Sequence, residues 1–167
     1  MPGPISILVM LMLSIVEQPS AVPPIGRVRD NGDRSIAMLL REGSDLSPTF
    51  RRLVETIDRS DGLVYVESGR CGHHVRACLA MTVRRAGPHR VLRILVDTHR
   101  DHEELVAAIG HELQHAVEVL SDPHVIDDVT IYNFFMHIAP SDKSHLETEE
   151  ALQVFLDVLA ELRTRRR

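Results

Sequence analysis

GHELQHAVEVL, Gly110 to Leu120, is the stretch from which the rest of the chain is read. It holds His111, Glu112 and His115 in the order H-E-x-x-H. On an α-helix, residues four apart lie one turn above each other on the same face. Two imidazoles so placed can share one zinc ion. The Glu beside the first His then lies next to the open position of the metal, where it can take a proton from water. This geometry needs a helix, and the surrounding EELVAAIGHELQHAVEVL is rich in Ala, Leu, Glu and Gln and lacks Pro. Asp101, Glu103 and Glu104 fall where the first turn would be, and Ser121-Asp122-Pro123 reads as the stop. The rival reading is a solvated helix face on which two His residues fall by coincidence.

Upstream, LVYVE (Leu63 to Glu67) is β-branched and aromatic and predicts a strand. RACLAMTVR predicts a second strand and HRVLRILVD a third, turned at Ala86 to Pro88 and able to pair as an antiparallel hairpin. Before these, Ile36, Leu39 and Leu40 have helical spacing, with Gly43 as a natural residue just past the helix end. Ser47 as N-cap and Pro48 at the first position open a second helix with the stripe Phe50, Leu53, Val54 and Ile57. Downstream, Val125 to Ile138 predicts a helix stopped by Pro140. Ser144 with Glu147 three residues on makes a capping box for a last helix, whose stripe is Ala151, Val154, Phe155, Val158, Leu159 and Leu162.

A catalytic zinc takes three protein ligands and keeps a position for water. A third His six residues beyond the second is excluded, because position 121 is Ser121. The last helix offers Glu147, Glu149 and Glu150. Stepping 100° per residue puts Glu147 at the edge of the apolar stripe, Glu150 further round and Glu149 away from it. Glu147 competes with its own capping role, and Glu150 is the second choice. Asp122 and His124 would each need a tight return of the chain.

The 167 residues make one domain, or one domain behind a processed leader, and the apolar 44% suffices for a core. A net charge of −5 gives no general affinity for nucleic acid; the basic run at Arg163 to Arg167 reads as a cationic helix end. Residues 1–24 stand apart. Ile5 to Val16 is an apolar run too short for a comfortable membrane span, followed by EQPSAVPP. This is the layout of a signal peptide, or of a retained N-terminal anchor that would be the only membrane contact, and it predicts export to the periplasm or beyond. In an exported chain the two cysteines, Cys71 and Cys78, predict a disulfide between the first two strands; a second metal site from Cys71, His73, His74 and Cys78 is the alternative.

The HELQH helix with a Glu on a later helix resembles the zincin superfamily and its gluzincin branch. The run from LVYVE through a Cys-bearing hairpin, LRILVD, GHELQHAVEVLSDP and LET–A is similar to small bacterial zincin-like proteins, over roughly Ser47 to Leu162. In these the active helix reads close to AHELQHA and a later motif close to F-E-T; here Gly110 and Leu146 stand at the differing positions. The resemblance implies a third-ligand role for Glu147. It implies an α+β, zincin-like fold over residues 25–167, with a small, mostly antiparallel sheet packed on the HExxH helix. It also implies that extended substrate adds to a sheet edge, at Val91 to Val96 or its neighbour.

The function expected is zinc-dependent hydrolysis of a peptide or protein substrate. His111, His115 and Glu147 would hold Zn2+, and Glu112 would act as general base. Tyr132, His137 and His145 are candidate donors to the oxyanion. The alternatives are a zinc-binding interaction domain without catalysis and a metal-free helical adaptor. Substrate specificity and oligomeric state have no signal in the sequence.

Overall fold

A computed structural model describes residues 26–72, 75–99, 101–138 and 147–165. The leader at 1–24 and His73, His74, Pro140, Ser144, His145 and Leu146 lie outside the described residues. The described chain is α+β, with five helices and a small mixed sheet. The strands are β1 (Val28–Arg29), β2 (Gly62–Ser68), β3 (Ala77–Leu79), β4 (Arg84–Ala86) and β5 (His89–Val96). The helices are α1 (Arg34–Leu46), α2 (Pro48–Asp58), α3 (His102–Ser121), α4 (Asp128–Ile138) and α5 (Glu149–Arg165). No helix of the described residues is long and apolar enough to cross a membrane.

The sheet corrects the expectation of mostly antiparallel pairing. Its order is β1-β2-β5-β3, with β4 also on β5. The central pair, β2 and β5, runs parallel from Gly62↔Arg90 to Ser68↔Val96, and β1 is parallel to β2. Only β3 and β4 are antiparallel to β5. The reason lies in β5. It is the longest strand, and Leu92, Ile94 and Val96 are wholly buried. A central position satisfies its backbone on both sides, so the chain leaves β2, lays β3 and β4 down as the outer edge, and returns β5 between them. The predicted strand RACLAMTVR is correspondingly two short strands. The chain breaks between them to bury Val83, whose N–H donates to Asp128. The hairpin turn falls where expected, and Gly87 takes a positive φ of 59° that a side chain would strain.

Strands β2 and β5 alternate along their length, so one face is buried and the other half-open. On the open face Arg93 pairs with Glu67 at 2.6 Å, and Arg29 donates to Tyr65. The buried face carries Val64, Val66, Leu92 and Ile94. Helix α3 packs on this sheet and also against α1, α2 and α5. It is buried almost all round, which explains its long apolar composition.

Ser47 caps α2, accepting from Phe50 N–H, with Pro48 at the first position as expected. Gly43 corrects the reading of α1. It is buried inside the helix, which runs on to Leu46. A Cβ there would meet the Phe50 ring at 2.8 Å, so the glycine serves packing between two helices, not a helix end. Gly43→Ala should therefore lower stability. Helix propensity gains up to about 1 kcal/mol, while forcing a buried ring aside costs about 1–3 kcal/mol. Denaturant titration reads the difference; a stabilised variant would show that Phe50 can give way.

Candidate metal centre

Asp101 opens α3, its carboxylate accepting from the N–H groups of Glu103 and Glu104. The next turns bring His111, Glu112 and His115 to the face turned toward β3 and the start of α5. Gly110 fits the same contact: a Cβ there would stand 3.1 Å from Val158 Cγ2 on α5. Its bare backbone lets α5 lie close to α3.

Glu147 comes to the site by a route the sequence reading misplaced. Helix α5 begins at Glu149, and its cap is Thr148, whose Oγ1 accepts from Ala151 N–H at 3.2 Å. Glu147 therefore precedes the helix and is not its third residue. Freed from a capping box, its carboxylate Oε2 lies 2.9 Å from His111 Nε2 and 3.6 Å from His115 Nε2. His111, His115 and Glu147 offer one ligand atom each, all within 4.8 Å of one another. Ligands about 2.0–2.1 Å from a tetrahedral ion stand roughly 3.3 Å apart, so this spacing suits a metal ion. Glu147 Oε2 is buried and has no hydrogen-bond partner of full geometry among the described residues, although both imidazoles stand close to it. A buried carboxylate oxygen in that state is what a cation would satisfy. Among the described residues this is the one group that could hold a metal ion.

Glu112 is turned to a different task. Its Oε2 accepts from Leu79 N–H on β3 at 2.7 Å, and its Oε1 is 3.9 Å from His111 Nε2. It stands beside the three ligand atoms without joining them. Burial pushes its carboxyl pKa up, against the pull of the two imidazoles and of the Leu79 N–H. The two neighbouring imidazoles hold Glu147 well below the usual carboxylate range. His115 is the opposite case. Burial disfavours its charged form, but Glu118, Glu147 and Glu112 outweigh it and raise the imidazole to about 9. Glu118 accepts from His115 Nδ1 at 2.9 Å and is held low by that contact in spite of burial.

The cleft over these residues has a volume of 390 Å³. Its apolar wall is Val75, Ala77, Ala108, Leu152 and Phe155. One side is the free edge of β3. Ala80 N–H bonds to Arg93 on β5 and Arg76 C=O to Asp97 just after it, so by alternation the N–H and C=O of Ala77 and Leu79 point away from β5, where Glu112 takes the Leu79 N–H. Strand β5, expected as a substrate edge at Val91 to Val96, is internal; its neighbour β3 is the edge.

The other residues singled out in the sequence lie elsewhere. Glu149 and Glu150 are exposed on α5. Asp122, His124 and His137 line a separate depression beside α4, and Tyr132 is 51% exposed and outside the cleft. Cys71 and Cys78 are joined in a disulfide, which ties the loop after β2 to β3. The sequence reading missed Glu118 and Thr148. The available signal was Glu118, an acid three residues after a ligand His on the same helix face.

No family model matches this chain, and no curated protein or solved structure matches it either.

Proposed function

We propose that the protein is a zinc-dependent peptidase of zincin type, with His111, His115 and Glu147 as metal ligands and Glu112 as general base. The observation that carries the reading is the buried Glu147 Oε2, close to two imidazole nitrogens and without a hydrogen bond of full geometry to either. Two His and one carboxylate are a donor set zinc accepts in catalytic sites. Bound there, zinc would supply a Lewis acid that lowers the pKa of water and polarises a carbonyl.

The chain's own residues do the rest. Leu79 N–H fixes one oxygen of Glu112, leaving the other to take a proton from water and deliver it to the leaving amine. Burial raises the proton affinity of Glu112, which suits a group that must hold a proton between two steps. The outward N–H and C=O of Ala77 offer an extended peptide the bonds of an added strand. The wall of Val75, Leu152 and Phe155 favours an apolar substrate side chain beside the scissile bond. Export belongs to the same reading; the Cys71–Cys78 disulfide supports it, since such bonds persist in oxidising compartments.

Zinc content and affinity of the protein beside Glu147→Ala test the site. The wild type should hold near-stoichiometric zinc, and the variant should lose most of it. Zinc and a proton compete for His115, whose pKa in the metal-free protein is about 9. Apparent affinity should therefore climb about tenfold per pH unit from pH 6 toward 9. A wild type without zinc affinity, or a variant that keeps it in full, would refute the ligand set. Zinc without chelator-sensitive cleavage of any peptide in a library would make the site structural.

A further inference from the structure

Glu118 makes two contacts that join separate parts of the site. Its Oε2 accepts from His115 Nδ1 at 2.9 Å. Its Oε1 accepts from Thr148 Oγ1 at 2.8 Å, across 30 residues of sequence, and from Gln114 Nε2 at 3.1 Å. Thr148 is both the N-cap of α5 and the residue after Glu147. Its single hydroxyl proton goes to Glu118 and a lone pair receives Ala151 N–H, so the hydroxyl has no free rotation.

From this geometry we infer that Glu118 is a positioning residue that sets two of the three metal ligands at once: the ring orientation of His115 and, through Thr148, the place of Glu147. The inference rests on the proposed metal site. On the His115 side, a carboxylate on Nδ1 fixes the ring so that Nε2 faces Glu147. On the Thr148 side, the contact pins the start of α5 to α3. Glu147 lies outside the helix, so its own position is not fixed by helical hydrogen bonds, and the Thr148 anchor next to it limits where its carboxylate can go. Both contacts come from one carboxylate that is 13% exposed, so a shift of Glu118 would move both ligands together. Glutamine cannot replace it in full. Its oxygen could still serve His115, but its NH2 would stand where Oε1 accepts, so the Thr148 hydroxyl proton and the Gln114 amide would lose their acceptor.

The test is zinc affinity by chelator competition, with the melting temperature of each metal-free protein measured alongside. The proteins are the wild type, Glu118→Gln, Thr148→Val, Thr148→Ser and the Glu118→Gln/Thr148→Val double variant. Glu118→Gln and Thr148→Val should each weaken zinc binding about 10–100-fold. Thr148→Ser, which keeps the hydroxyl, should restore wild-type affinity. The double variant should bind about as well as the weaker single variant, because both changes cut the same chain. Unchanged affinity in Glu118→Gln, or losses that simply add in the double variant, would overturn the inference and leave the metal site standing. Losses of affinity that follow melting temperature across all variants, Thr148→Ser included, would reduce Glu118 to a structural contact. A wild type that binds no zinc would overturn the metal site itself.

Discussion

Glu112→Gln should keep zinc and lose peptide hydrolysis, with kcat reduced about 10²- to 10⁴-fold and KM little changed. Two distances separate these effects. Glu112 Oε1 is 3.9 Å from His111 Nε2, and the three ligand atoms come from other residues, so the amide removes no metal donor. Its other oxygen accepts from Leu79 N–H at 2.7 Å, and glutamine can keep that bond through its carbonyl. What the variant lacks is a site for the proton in transit. Glu112→Asp should recover little, since one methylene less cannot hold the Leu79 N–H and still reach the same water. Zinc content by metal analysis and cleavage of an apolar-side-chain peptide measure the two halves. Full activity in Glu112→Gln would end the general-base assignment, and loss of zinc would make Glu112 a ligand.

Arg90→Met should cost about 3–5 kcal/mol of stability, because buried carbonyls lose their donors at about 1–3 kcal/mol each, a fall in melting temperature on the order of 10 °C. Arg90 is an inward residue of β5 whose side chain is 6% exposed, under the C-terminal end of α3. Its Nη1 donates to the carbonyls of Val119, Asp122 and Val125, and its Nη2 to that of Leu120. These include carbonyls that a helix end leaves unpaired, and the guanidinium also meets the negative end of the helix dipole. Asp61 balances the charge, bonded to Nε and Nη2 at 2.9 and 2.7 Å. Methionine fills similar space but leaves several carbonyls buried without donors. Lysine, with three donors at one point, should recover only part of the loss. The pair also sets an acid limb. The hydrogen bond to Arg90 lowers the Asp61 pKa, so its contribution is complete above the unfolded value of about 4 and is lost as pH falls through the lower folded value. Wild-type stability should therefore decline more steeply below pH 4 than that of Arg90→Met. Equal stability of the two proteins in urea would show that water replaces the guanidinium.

How far the sequence could be read follows from the range of the interactions involved. Ser47-Pro48 announces α2 through a cap made within three residues, and the structure keeps it; Asp101, expected within the first turn of α3, stands just ahead of it as the N-cap. The stretch HRVLRILVD announces β5 but says nothing about its neighbours; its central place, parallel to β2, depends on which strand buries most. Gly43 is a helix end by local rules and a helix contact once Phe50 is opposite it. Helical stepping puts Glu147 at the edge of the apolar stripe of a last helix; the structure places it ahead of that helix, whose cap is Thr148, and still within the cluster. The cap at Thr148 is tied to α3 by the contact with Glu118. Glu118 itself had only an i,i+3 relation to His115, common on any helix, so its part in the site became visible with the fold.

The position of Glu147 just ahead of α5 has a thermodynamic consequence. An ion held by α3 and the residue leading into α5 would act as a removable cross-link between segments far apart in sequence. Unfolding would then release the ion, so the folded state would gain about 1.4 kcal/mol for each tenfold rise in free metal above the dissociation constant. The persistence of the protein would be set by the metal supply of its surroundings as much as by its core.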